Sequence, residues 1–146
     1  MPSVHASAVL VGARAVLIRG PSGAGKSRLA LALVHAAEAG RPPFALLVAD
    51  DRSHLERHHG RLLVRPSPQI AGLIEVHGLG IRRLPYEPIA VVGLVVDLAA
   101  PDGERLPAAA SGRVTIDGIT LTRLAVAPGA DPLPLVLAAL TTAPQP

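Results

Sequence analysis

Residues 20–27 read GPSGAGKS, set between the aliphatic run Ala15–Ile18 and a segment whose Leu29, Leu33 and Ala37 repeat at helical spacing. G-x-x-x-x-G-K-S is the pattern of a phosphate-binding P-loop, which requires a strand leading in and a helix leading out. Strand, glycine-rich loop and helix must therefore follow one another directly, and that order points to an α/β fold. Within the loop, Gly20, Gly23 and Gly25 let backbone N–H groups approach phosphate oxygens, with Pro21, Ser22 and Ala24 completing the turn. The helix N-terminus adds a favourable dipole. Lys26 is the only lysine among fourteen Lys and Arg residues. A compact ammonium can thread along such a loop where a planar guanidinium is too broad. Ser27 is placed to offer its hydroxyl to Mg²⁺. The alternatives are a purely structural glycine-rich turn and a lysine left over by codon bias, and neither explains the strand and helix on its two sides.

The remaining chain divides into short elements. Ala8–Val11 and Ala15–Ile18 read as a hairpin about Gly12-Ala13. The helix after the loop is expected from Lys26 to Ala39, with Gly40 as its stop and Pro42-Pro43 breaking the chain. Phe44–Ala49 is a short apolar run, hence a buried strand, and it ends in Asp50-Asp51. Arg52–Arg65 resembles a polar hairpin turning at Gly60, and Pro66–Gly72 a short helix or loop. Ile74–Leu84 carries IEVHGLGIRRL, and Ile89–Leu98 is a further buried strand. After a Pro/Ala/Gly-rich connection over Ala99–Gly112, Val114–Ile116 and Ile119–Leu124 flank Asp117-Gly118, the strongest turn signal in the chain. A last helix is expected over Asp131–Leu140. One domain over 1–142 with a tail at 143–146 accounts for the length.

Composition narrows the classes of function. The only aromatics of the Phe/Tyr/Trp type are Phe44 and Tyr86, so the core must be aliphatic and single strands of nucleic acid lack stacking platforms. The formal charge of +3 comes from arginines scattered along the chain, not from a basic tract, so no nucleic-acid partner is expected. Cysteine is absent, which excludes disulfides, thiolate metal sites and a cysteine nucleophile. No apolar run reaches the roughly 18 residues of a membrane span, and no basic leader opens the chain. The expectation is a cytoplasmic protein with no membrane partner.

Asp50 and Asp51 are the first candidates for chemistry beyond the loop. Carboxylates at the end of a strand near a P-loop face the metal and the γ-phosphate. Adjacent side chains on an extended chain point to opposite sides, so the two should divide the work. One would serve the metal shell and the other would accept a proton from an attacking hydroxyl; the alternative is a turn or capping carboxylate. Glu75, between Ile74 and Val76, is a charge in an apolar stretch and needs a metal or an arginine beside it. His5 stands alone near the N-terminus, where a surface or core role is the competing reading. His54, His58 and His59 cluster in the polar hairpin and read as solvated turn residues, with metal binding as the alternative.

Several blocks together resemble the catalytic domain of bacterial HPr kinase/phosphorylase, which acts on a serine of the phosphocarrier HPr. LVADDR (Leu47–Arg52) and IEVHGLGI (Ile74–Ile81) are the specific blocks, and SVHASAVLV (Ser3–Val11) is similar to the segment carrying that family's active histidine. The resemblance implies a P-loop kinase variant similar to phosphoenolpyruvate carboxykinase, a mixed β-sheet with few helices, usually assembled as a hexamer. It implies that residues 20–27 bind ATP, that Ser27 and Glu75 hold Mg²⁺, and that Asp51 is the base with His5 near it. By the same resemblance Arg105, in GERLP, is the catalytic arginine. The activity implied is serine phosphorylation of HPr or a related carrier. That activity links the phosphotransferase system to carbohydrate metabolism, with phosphorolysis as its reversal.

The sequence departs from the family pattern at three places. The usual N-terminal regulatory domain has no counterpart, which suggests the short, catalytic-domain-only type. His77 stands where arginine is common. VAPGAD (Val126–Asp131) replaces the Arg-rich Pro-Gly loop associated with phosphorolysis, so the kinase direction is favoured. A P-loop kinase for a small metabolite and a catalytically silent nucleotide-sensing module are the other two readings.

Overall fold

The computed structural model describes residues 3–40, 42 and 44–145. Pro43 of the expected Pro42-Pro43 break, Met1 and Pro2 at the start of the expected domain, and Pro146 of the expected tail lie outside the described residues.

Among the described residues, eleven strands and two α-helices follow in chain order, and they match the expected elements closely. Strands β1 (Ser3–Val4), β2 (Ala6–Val11) and β3 (Arg14–Arg19) lead into helix α1 (Lys26–Glu38). Next come β4 (Ala45–Ala49), β5 (Ser53–His58), β6 (Arg61–Pro66), β7 (Leu73–Val76), β8 (Gly80–Arg83) and β9 (Ala90–Asp97). The chain closes with β10 (Arg113–Ile116), β11 (Ile119–Ala125) and α2 (Pro132–Thr141). The Asp117-Gly118 turn has positive φ at both residues, 49° and 76°. Two consecutive left-handed residues match the natural twist of an antiparallel pair, which explains the tight β10–β11 connection.

The sheet is mixed and curled. Its hydrogen-bonded path runs β1-β5-β6-β9-β3-β2-β4. Because β1 and β2 are separated by His5 alone, the path bends back on itself at that residue. β9 pairs parallel with β3 on one side. On its other side it pairs antiparallel with β6 near its start and parallel with β11 near its end. The β7–β8 hairpin forms a separate two-stranded sheet.

Strand alternation sorts the apolar side chains into two cores. Along β3, Ala15 and Leu17 point inside the curl, where they meet Ala6, Ala8, Leu55, Leu62, Val64 and Val95. Val16 and Ile18 point to the outer face and pack with Leu29 and Leu33 of α1 and Val136 of α2. Leu29 and Leu33 are 2% and 0% exposed, and burying a side chain of this kind stabilises a fold by roughly 1.5–3 kcal/mol. That packing presses α1 onto the sheet and sets its N-terminus at the end of β3. The hairpin β5–β6, which reads as polar in sequence, is amphipathic: its Leu55, Leu62 and Val64 line the inner core, while Arg57, His58 and Arg61 stay in solvent. Among the described residues, no helix is long and apolar enough to cross a membrane.

Candidate functional site

The P-loop leaves β3 at Arg19 and enters α1 at Lys26, so the strand–loop–helix order is realised without insertion. Gly20 passes close to the neighbouring strand end. A Cβ there would lie 3.1 Å from the Leu98 Cβ and 3.3 Å from the Leu98 carbonyl oxygen, tighter than nearly all real Cβ contacts. Gly25 precedes the helix with φ 98°, a left-handed conformation that any other residue would adopt only with strain. No side chain caps the helix N-terminus and no acidic residue lies in its first turn. Its first N–H groups therefore retain their capacity to bind an anion.

Lys26 folds back along the loop. Its Nζ donates to the carbonyl oxygens of Gly20 at 2.8 Å and Pro21 at 3.1 Å. Ser27, one residue on, donates its hydroxyl to Asp50 Oδ1 at 2.6 Å.

Asp50 is the centre of the arrangement. It sits just past β4, 5% exposed, and its carboxylate receives three hydrogen bonds. Ser27 Oγ and Ser7 Oγ donate to Oδ1, the latter at 2.7 Å, and the Glu75 backbone N–H donates to Oδ2 at 3.1 Å. A buried charge needs this degree of satisfaction. Asp51 differs in every respect. It is exposed, and its φ of 66° is rare for a residue with a side chain. Its N–H donates to Ser7 Oγ at 3.4 Å. Ser7, fully buried in β2, thus touches both acidic residues.

Of the other candidates, Glu75 is the one tied to this pair by a hydrogen bond among the described residues. His5 is exposed in the bend between β1 and β2. Its neighbours on either side reach the acidic corner, since Val4 pairs with Ser53 and Ser7 contacts Asp50. Glu75 lies on β7 with its side chain exposed, and it meets Asp50 through its backbone, not through its carboxylate. Among the described residues, no three His, Cys, Asp or Glu side chains gather as a metal cluster. Arg105 is exposed in the loop after β9. Among the described residues, its side chain makes no hydrogen bond to Lys26, Ser27, Asp50 or Asp51. His54, expected in a solvated turn, is half-buried on β5 and shares a hydrogen bond of 2.9 Å with Ser67.

A second ionic group lies at the base of the loop, and the sequence reading missed it. Asp97 ends β9 and accepts two hydrogen bonds from Arg19, from Nε at 2.7 Å and from the NH2 nitrogen at 2.8 Å. Arg123 donates to the same carboxylate at 2.6 Å. Burial would raise the Asp97 pKa, but the hydrogen bonds and charges of Arg19 and Arg123 outweigh it and hold the group below its ordinary value. Arg123 is made still more firmly cationic by its hydrogen bonds to Asp102 and Asp97. The sequence signals are an arginine between Ile18 and Gly20 and an aspartate closing an apolar strand, the same pattern as at Asp50.

The donor set suits a hard cation. Ser27 and Asp50 offer one hydroxyl and one carboxylate, and Mg²⁺ is commonly held by one or two protein oxygens together with phosphate and water. The basic loop and open helix N-terminus beside them suit a polyphosphate.

Known proteins resemble this chain in sequence and in fold. The family model described as HPr Serine kinase C-terminal domain matches residues 1–84. A protein of Halalkalibacterium halodurans named HPr kinase/phosphorylase is 42% identical over 80 residues, which make up 54% of this chain and 24% of that protein. The chain thus spans about a quarter of the length of the curated relative it matches. The solved HPr(Ser) kinase/phosphatase from Coxiella burnetii superposes with a TM-score of 0.75 at 25% identity, covering 96% of this chain and 88% of that one.

Proposed function

The chain belongs to the HPr serine kinase C-terminal domain family, and on that footing we propose that it is an ATP- and Mg²⁺-dependent protein-serine kinase acting on HPr or a related phosphocarrier. Residues 1–142 form its catalytic domain in this reading. The observation that carries the proposal is the shared position of Asp50, which joins Ser27 of the P-loop to Ser7 and, through Ser7, to Asp51.

Backbone N–H groups of residues 22–27 and the Lys26 ammonium bind the β- and γ-phosphates. To do so, Lys26 exchanges its carbonyl partners for phosphate oxygens, a stronger charge-assisted interaction. Mg²⁺, held through Ser27 and Asp50 with Glu75 as a further candidate ligand, would offset charge on the transferring phosphoryl group. Asp51, exposed beside this site, accepts the proton of the substrate serine hydroxyl as its oxygen attacks the γ-phosphorus. The bond from phosphorus to the ADP oxygen breaks, and the products are phosphoserine and ADP. His5 lies at the same corner and assists Asp51. Arg105 serves as the catalytic arginine, its exposed side chain available to the phosphates. The protein contributes position and charge, as phosphoryl transfer demands.

The forward direction is the stronger part of the proposal. VAPGAD has no arginine, so inorganic phosphate, the co-substrate of phosphorolysis, has fewer partners there. Cytoplasmic location follows from action on a phosphotransferase-system carrier, and a hexamer from the resemblance.

Incubation with ATP, Mg²⁺ and purified HPr tests the reading. Phosphoserine on HPr is expected in the wild type and should be lost in Asp51→Asn. Labelling that survives this change removes Asp51 as the base. Labelling of small molecules alone points to a metabolite kinase, and nucleotide binding without transfer to a sensing module. Mass measurement in solution tests the hexamer.

A further inference from the structure

Arg19 is the last residue of β3, and Gly20, whose carbonyl holds Lys26, follows it directly. From this point an ionic ladder runs across the ends of three parallel strands. Arg19 grips Asp97 at the end of β9. Arg123 of β11 donates Nε to Asp97 and turns its terminal nitrogens to Asp102, at 2.7 and 3.0 Å. Arg123 also donates to the Ser111 carbonyl oxygen at 3.0 Å. One guanidinium, only 14% exposed, thus clasps both ends of the segment 102–111. Arg105 lies within that segment.

Neighbouring contacts reinforce the clasp. Leu98 N–H donates to the Arg19 carbonyl and Ala100 N–H to the Val126 carbonyl. A Cβ on Gly103 would lie 2.5 Å from the Ala127 nitrogen, so the segment starts pressed against the chain after β11. Two cations and two anions in alternation leave no net charge. The ladder's charges are all used internally, which marks a device for holding position and not a ligand site.

We propose that the Arg19–Asp97–Arg123–Asp102 ladder is a positioning device that fixes the 102–111 segment, and with it Arg105, in register with the P-loop. The kinetic part rests on the kinase reading given above. None of the four residues touches the reacting atoms in this account; they act through Gly20 on one side and Arg105 on the other. The forked geometry is essential. The planar guanidinium makes four hydrogen bonds to two carboxylates and a carbonyl, whereas a lysine at 123 has only three donors on a point charge.

The test uses the full chain with Asp102→Asn, chosen because Asp102 is half-exposed and its loss spares the core, and with Arg123→Lys as the second variant. Hydrogen exchange of amides in 102–111 should rise about tenfold or more in both as local opening becomes easier, and Asp102→Glu should restore protection. With HPr as substrate, kcat should fall about tenfold while KM for ATP changes by less than about twofold, since orientation and not binding is lost. Combining Asp102→Asn with Arg105→Ala should cost no more than Arg105→Ala alone. Unchanged exchange in both variants, or losses at 102 and 105 that multiply, overturns the proposal. Should the wild type transfer nothing to HPr, the kinase reading fails, and the exchange measurement by itself then upholds or overturns the ladder.

Discussion

Ser27 Oγ donates to Asp50 Oδ1 at 2.6 Å, so the hydroxyl assigned to the metal is held by the carboxylate assigned to the same metal. Both oxygens of Asp50 are accepting, and every donor around it points inward. Asp50→Asn replaces one of those acceptor oxygens with an NH₂ group. An amide with its oxygen on the serine side would turn its NH₂ toward the Glu75 N–H, donor against donor. The expected result is a loss of roughly 1–3 kcal/mol in stability from an unsatisfied buried group. Transferase activity should fall further, on the order of 10²–10³-fold, because the carboxylate assigned to Mg²⁺ loses the charge that would hold the ion against the phosphates. Thermal melts and assays across a Mg²⁺ series check both.

Ser7 carries a prediction of its own because it is buried and bridges the two acids. Ser7→Ala leaves Asp50 with two donors instead of three and removes the acceptor facing the Asp51 N–H. Stability should drop by about 1–2 kcal/mol, and the Mg²⁺ concentration giving half-maximal activity should rise. A variant with unchanged Mg²⁺ dependence would confine Ser7 to packing.

Asp51 pays for its place in backbone strain, with φ at 66°. Glycine adopts that conformation freely, so Asp51→Gly should stabilise the fold by up to about 1 kcal/mol while abolishing transfer. A rise in melting temperature together with lost activity is the signature of a residue kept for chemistry at the expense of stability. A fall in melting temperature would instead assign Asp51 a structural role.

The local order of the fold was legible because each element carries its own period or turn. Helix α1 shows its apolar stripe at Leu29 and Leu33, β9 is an apolar run, and Asp117-Gly118 announces its hairpin. The curling of the sheet was not legible. It depends on Ser3 and Val4 pairing with His54 and Ser53, a two-residue contact between distant segments with no periodicity to betray it. The site shows the same division. The P-loop and Asp50-Asp51 stand out as residue types in context, whereas Ser7 is an ordinary small residue until β2 is laid beside β4. Arg19 and Asp97 meet across 78 residues of chain, and one charge at each of two strand ends does not reveal its partner.

The ladder also sets a pH dependence. The Asp97 carboxyl titrates below its ordinary value in the folded chain, because Arg19 and Arg123 overcome the cost of its burial. Asp102 is lowered too, chiefly by its hydrogen bond from Arg123. A carboxylate with a depressed folded value binds protons more readily when unfolded, so folding stability must rise with pH through this window. The contribution is complete above the unfolded value of about 3.9 and disappears as pH falls through the lower folded value. The melting temperature, followed from neutral pH to about pH 3 in low salt, should therefore decline most steeply below about pH 4. Asp97→Asn should melt lower at neutral pH, where it leaves both arginines short of a charge, and its decline with acid should be shallower. If the two proteins lose stability in parallel as pH falls, Asp97 does not supply the acid sensitivity.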